Sequence, residues 1–263
     1  MSVAAACIDI TGSNRAMDVA FVENSQVYLR TESNLNSFLA WVSDASPEVI
    51  AVDAPSKENI GLVSKYRSQY GIPENKYENF RIAEAILKTR QIGLYNTPRK
   101  KPPEWIKRGW DLYLLLQNQG YSLLDTPGRV QSESSITLEV HPHASFVVGL
   151  GWIPQTKSTL AGLLERAAYL RRESQELKLS VEDTPLATDQ LQFLKDIDTT
   201  WESIADEGIA LPSISHDQLD AMAGLVTAIR AQRGEAEAVG HQDDGVIVLP
   251  KPLSDTPYQW KHK

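Results

Sequence analysis

Five carboxylates stand where an α/β sheet would gather them. Asp9 stands at the end of the strand-like run Val3 to Ile10, and Asp53 closes another in Val52-Asp53-Ala54-Pro55. Glu139 stands in Leu138-Glu139-Val140-His141-Pro142. Asp217 and Asp220 open a helix, His216-Asp217-Gln218-Leu219-Asp220-Ala221, three apart and so on one face. Gly224 continues that face, which lets the helix lie close against a sheet. Ligands bind at strand ends in open α/β sheets. Acids gathered there repel one another unless a cation offsets them. An all-oxygen set suits Mg²⁺ or Mn²⁺, as one ion or two. Two such ions can stabilise both the attacking and the leaving oxygen in phosphodiester hydrolysis. Any one of these acids is also an ordinary turn former, or a helix-start residue favoured by the dipole. The joint placement on strand one, strand four and a late helix is what points to a metal.

Other residues could serve the same site. Arg99, Lys100, Lys101, Lys107 and Arg108 form a basic window with Tyr95, Trp105 and Trp110 around it. Aromatics among cations suit single-stranded nucleic acid or a phosphate-bearing ligand. The plainer reading is a solvated loop anchored by its tryptophans. Glu139 and His141 alternate and would share one strand face. With His143 and His216 they offer a second, transition-metal alternative. His216 could otherwise orient an acid or a water. Arg81 and Glu84 have the spacing of a surface ion pair. Arg166, Arg171 and Arg172 read as a solvated helix face, and Cys7 as a small buried hydrophobe.

The elements that must position these groups follow from periodicity. Val3 to Ile10, Met17 to Val22 and Gln26 to Thr31 are apolar runs split by turn residues, a β-meander. Leu35, Phe38, Leu39 and Val42 fall at helical spacing after the N-cap Asn34. Val49 to Val52 reads as a strand buried on both faces. Helices are expected over Phe80 to Gln91, Trp105 to Gln119, Thr156 to Leu177, Leu186 to Ile197 and His216 to Arg230. Strands are expected at Ile136 to His141 and Val246 to Leu249. The prediction is one α/β domain over residues 1–263, with a helical insertion about 57–120 and a loose tail about 250–263.

Composition narrows the function classes. The 263 residues carry 26 basic and 34 acidic side chains, a net charge of −8. That balance argues against a sequence-indifferent coat on nucleic acid, which needs a basic face. One cysteine excludes an internal disulfide framework and a multi-cysteine metal knuckle. No apolar run approaches the roughly 20 residues of a membrane helix. Met1 to Ile10 does not read as a signal peptide. The expectation is a cytoplasmic protein with no membrane partner.

The order β-β-β-α-β…α, with acids on strand one, strand four and the last helix, resembles the RNase H-like fold. That resemblance implies a mixed five-stranded sheet flanked by helices. The His216 to Ala223 segment resembles the final helix of RuvC-type Holliday junction resolvases. The wider chain is similar to domain-of-unknown-function family 429, labelled predicted RNase H-like nucleases. The segments that carry the likeness are Ile50 to Pro55, Arg81 to Glu84, Tyr95 to Pro98, Glu139 to Pro142 and the His216 helix. By carry-over, Asp9, Asp53 and Asp217 or Asp220 are metal-binding acids and Glu139 is a further pocket acid. Arg81 and Glu84 then face the pocket. Arg81, Arg99, Lys100, Lys101, His141 and His216 are the candidate substrate contacts. The implied activity is metal-dependent hydrolysis of a phosphodiester in nucleic acid or another phosphate ester, with a homodimer left open. Two alternatives stand beside it. One is a non-catalytic RNase H-like binding module. The other is a nucleotide-dependent phosphohydrolase or phosphotransferase of the actin and sugar-kinase type, using the Thr11-Gly12 turn.

Overall fold

The computed structural model describes residues 3–12, 15–131, 135–180 and 214–260. The meander forms as expected: β1 (Val3–Asp9), β2 (Met17–Glu23) and β3 (Gln26–Glu32) pair antiparallel. Helix α1 (Leu35–Ala45) starts at Asn34, whose side chain accepts the Ser37 amide at 3.0 Å. It stops at Ser46, which takes a left-handed φ of 47°. β4 (Val49–Asp53) then lies parallel to β1, with Asp9 directly opposite Asp53.

Parallel to β4 runs β7 (Ile136–Glu139), and parallel to that a short β5 (Ser122–Leu123). The sheet order is β3-β2-β1-β4-β7-β5, so the sheet has six strands where five were expected. The added strand is two residues long, too short for its sequence to show alternation. Backbone bonds place it, from the Ser122 amide to the Ser135 carbonyl and from Leu124 to Thr137. A second, three-stranded sheet joins β6 (Gly128–Arg129), β8 (Glu237–His241) and β9 (Gly245–Leu249). Only β9 was anticipated in it.

Alternation along the central strands divides the core in two. Ala5, Cys7, Val49 and Ala51 face α7 (His216–Gln232), α5 (Pro142–Leu150) and α6 (Leu160–Leu177). Ile8, Ile50 and Val52 face α1 and α4 (Glu104–Asn118). The expected insertion divides its loyalties. α4 packs on the main sheet, whereas α3 (Ile82–Thr89) packs on β8 and β9, and the one-turn α2 (Val63–Tyr66) packs on α3.

Three local expectations change. Pro142 does not merely interrupt a strand: it is the first residue of α5, where its missing amide is harmless. That helix is buried on all sides and shows no apolar stripe, which hid it. Arg166 is buried, donating to the carbonyls of Gln155 (2.9 Å) and Gly162 (2.8 Å), and Arg172 donates to Gly149 (2.7 Å). The tail is docked as far as Trp260. The Tyr258 amide bonds the Arg90 carbonyl at 3.1 Å, and the Ile153 amide bonds Gln259 at 2.9 Å. The helix expected over residues 186–197 lies outside the described residues. Among the described residues, no helix is long and apolar enough to cross a membrane.

Candidate metal centre

The site is built by register. Asp9 and Asp53 extend the columns Ala5-Cys7 and Val49-Ala51, so both point to the face covered by α7. Gly224 lies on Cys7, where an added Cβ would sit 2.1 Å from the sulfur. No larger residue fits there, so the helix rests almost directly on the strand. One turn earlier on the same helical face stands Asp220, and Asp217 stands a further three residues back. A helical turn and a two-residue step of strand have similar lengths. The carboxylates of α7 therefore arrive over the carboxylates of the strand ends. The N-terminus of α7 is fixed by a reciprocal cap between Ser215 and Gln218.

One carboxylate oxygen each from Asp9, Asp217 and Asp220 lie within 4.8 Å of one another. Asp53 stands outside that set but beside Asp9. Burial, reinforced by Asp220 and Asp217, pushes the Asp9 carboxyl up to about 8. Burial, then the fields of Asp9 and Asp220, drives Asp53 well above the usual carboxylate range. Burial also raises Asp220, against the pull of Lys157. Among the described residues two cations form ion pairs with these acids, and the buried Arg166 pulls on Asp220 from farther off. Lys157 Nζ lies 3.2 Å from Asp220 and the Arg15 guanidinium 3.1 Å from Asp217. Both are long side chains with more than half their surface exposed. Asp18, on β2, adds a nearby acid whose carboxyl is also raised by burial, and it accepts from Thr31 at 3.0 Å.

Asp9, Asp53, Asp217 and Asp220 line a cleft of about 750 Å³. Its floor holds a second buried group. Arg81 is fully buried and donates through both terminal nitrogens to Glu139 and through Nε to Glu84 at 2.9 Å. Ser56 completes Glu139, donating its amide at 2.7 Å and its hydroxyl at 2.8 Å. Thr97 completes Glu84 through its amide at 3.0 Å and its hydroxyl. Burial works against the Arg81 charge, but Glu139 and Glu84 outweigh it and raise its proton affinity. The Arg81 and Glu84 pair, a surface ion pair by spacing or a pocket pair by resemblance, is interior and lines the cleft. Asp244 caps α3 from the turn between β8 and β9, accepting the Ile82 amide at 3.1 Å, and burial raises its carboxyl to about 6.

The remaining candidates separate. Arg81, His141 and His143 line the cleft; Arg99, Lys100, Lys101 and His216 are not among its lining residues. Glu139 and His141 do not share a strand: Glu139 ends β7 and His141 caps α5, bonding the Gly93 carbonyl at 3.2 Å. Burial lowers His141 and pulls His143 down to about 3. Lys107 pairs with Glu104 at 2.6 Å. Arg108 instead clamps the turn after β1, donating to the carbonyls of Thr11 and Gly12 at 3.2 Å.

Sequence reasoning missed Lys157, Arg15, Asp18, Ser56 and Asp244. Arg15 and Ser56 each follow a strand-end acid by a few residues, a signal that was present. Lys157 was expected inside the helix from Thr156 but lies in the loop before α6, which starts at Leu160, and Asp244 comes from a turn with no pattern.

Residues 8–244 match the family model described as protein of unknown function (DUF429). The chain belongs to this family. The matched range opens one residue before Asp9 and closes on Asp244, so the DUF429 region spans both buried acid groups. Comparison with curated proteins and with solved structures gave no match.

Proposed function

We propose that this DUF429 protein is a cytoplasmic, metal-dependent phosphodiesterase of the nuclease type, built on an RNase H-like fold. One observation carries the reading: three carboxylates from two elements converge within 4.8 Å at the strand ends. The sheet order, an antiparallel meander followed by parallel β4 beside β1, supports the fold reading.

The donors fit a hard divalent cation. They are all carboxylate oxygens, and burial makes the acids hold protons where no cation offsets them. Asp9, Asp217 and Asp220 would hold Mg²⁺ or Mn²⁺, and Asp53 would complete the acidic side of a one- or two-ion site. When bound, such an ion supplies Lewis acidity at a phosphoryl oxygen and a more nucleophilic water.

The chain's own residues do the rest. Asp9 and Asp53 are held by paired backbones, so their separation is set before any ligand arrives. Lys157 and Arg15 neutralise Asp220 and Asp217 in the resting site and are long enough to swing onto a phosphate. Glu139 has its oxygens occupied by Arg81 and Ser56, so it shapes the floor of the cleft. Trp105 and Pro55 form part of the wall that limits water.

The test is hydrolysis by the purified chain with Mn²⁺, Mg²⁺ or EDTA. Its substrates are single-stranded DNA, RNA, a branched junction and bis(p-nitrophenyl) phosphate. Turnover is expected with Mn²⁺ and lost in EDTA. Asp9→Asn and Asp220→Asn should each lose roughly 10²–10³-fold. Absence of cleavage of every substrate, or full activity in Asp9→Asn, sinks the reading.

A further inference from the structure

The cleft holds more than its acids require. A metal and a sugar–phosphate backbone need charge and hydrogen bonds. Yet Leu94, Val140, Pro142, Pro154 and Ile247 give this cleft apolar wall. Three aromatic side chains, Tyr95, Trp105 and Trp260, also line it. Tyr95 is 85% exposed and Trp260 40% exposed, so neither is consumed by the core. Trp260 is brought there on purpose-built backbone. The docked tail pairs with Ile153, and Arg90 Nε ties it down through the Ser254 carbonyl at 2.8 Å. Each aromatic comes from a different segment: the loop after α3, the start of α4 and the tail. Three distant stretches of chain therefore bring stacking faces to one cleft.

Size and charge restrict what those faces meet. A cleft of about 750 Å³ is of small-ligand size. Double-stranded nucleic acid takes a broad, basic protein face. Here Arg99, Lys100 and Lys101 lie outside the cleft lining, and the chain carries −8. A flat heteroaromatic ring has the shape and the π-face that the rim offers.

We infer that the cleft takes one unpaired nucleotide unit. Its base stacks among Tyr95, Trp105 and Trp260, and its phosphate faces Asp9, Asp217 and Asp220. The phosphate half rests on the phosphodiesterase reading; the base half does not. The unit is either a free nucleotide or a residue of a single strand, since both present the same base and phosphate.

Calorimetric titration of the full chain separates these. The probes are adenosine, AMP, ribose 5-phosphate, a short single-stranded oligonucleotide and a blunt duplex, each in EDTA and in Ca²⁺. AMP should bind at least about tenfold more tightly than ribose 5-phosphate in Ca²⁺. Tyr95→Ala should shrink that ratio severalfold and leave ribose 5-phosphate unchanged. Its side chain is too exposed for the change to threaten folding. Trp260→Ala should do the same. Tighter binding of AMP than of the oligonucleotide assigns a free nucleotide, and the reverse assigns a strand; either supports the inference. Equal binding of AMP and ribose 5-phosphate overturns it, as does tightest binding of the duplex or a ratio untouched by both variants. Adenosine binding without any Mn²⁺-dependent hydrolysis would fail the phosphodiesterase reading alone. Hydrolysis of bis(p-nitrophenyl) phosphate with no benefit from a base would fail this inference alone.

Discussion

Two groups of buried acids lie side by side in one cleft, and the chain treats them in opposite ways. Glu84 and Glu139 receive a buried arginine, three backbone amides and two hydroxyls. Asp9, Asp53 and Asp220 face each other across the strand ends, with burial as the main force on all three. The cations paired with the acids, Lys157 and Arg15, reach in from solvent, and the buried Arg166 acts on Asp220 only from farther off. All are carboxylates, the glutamates fully buried and the aspartates somewhat less so; what differs most is the supply of fixed donors. Where the fold supplies donors, the acid is part of the architecture. Where it leaves acids facing acids, the compensation must come from outside.

The largest test of that contrast is Arg81→Met. It strands two interior carboxylates and should cost about 3–5 kcal/mol in urea unfolding. Asp9→Asn, by contrast, removes one of several mutually repelling acids, so it should leave stability unchanged or raise it. A loss in Asp9→Asn as large as that in Arg81→Met would mean that the two groups are equally built in, and the contrast would collapse.

Next in size is Gly224→Ala. Its Cβ has no room over Cys7, so α7 must lift from β1. Overpacking of this kind costs about 1–3 kcal/mol. Because Asp217 and Asp220 ride on the lifted helix, metal affinity should fall together with stability. A variant equally destabilised but remote from α7, such as Leu87→Ala, should keep its affinity for Mn²⁺. If both variants lose affinity alike, the register of α7 does not set the site.

That close approach was the most legible part of the molecule. The acids on β1, β4 and α7, and the glycine that seats the helix, follow from period two against period 3.6. The meander, the Asn34 cap of α1 and the family were legible too. What the sequence hid has physical causes. α5 is buried all round, so it has no stripe, and β5 and β6 are too short to alternate. Arg81 and Glu84 have the spacing of a surface pair; only Glu139, 55 residues beyond Glu84, makes them interior. Lys157 falls in the loop before α6, where a helix was expected from Thr156, and Trp260 enters from the tail, where no period exists to find it. The acids were thus readable, as were Tyr95 and Trp105; the cations Lys157 and Arg15 and the third aromatic, Trp260, were not.

pH separates the two groups more gently. Asp9 titrates near 8 in the fold, against about 3.9 in an unfolded chain. Between those values the native state holds more protons, so stability falls as pH rises. In EDTA the melting temperature should drop by several degrees from about pH 5 to about pH 8. Asp9→Asn should flatten that slope, and Mn²⁺ should oppose it at the alkaline end, where the acids are free to bind. A melting temperature that climbs over this range in EDTA would show that the acids are already compensated.

The smallest effect sharpens the contrast most, because it asks what Lys157 is for. Its pair with Asp220 is half in solvent, so Lys157→Ala should change stability by no more than about 1 kcal/mol. If the lysine stands in for an external cation, removing it frees Asp220. Mn²⁺ should then bind up to about fivefold more tightly, the equivalent of that same 1 kcal/mol. Turnover should nevertheless fall, since the charge that could meet a phosphate is gone. Tighter metal with slower hydrolysis is a combination that a purely structural ion pair does not produce. Weaker Mn²⁺ binding would instead make Lys157 a support of the acid cluster, and the cluster would join Arg81 and its partners as a group compensated from within.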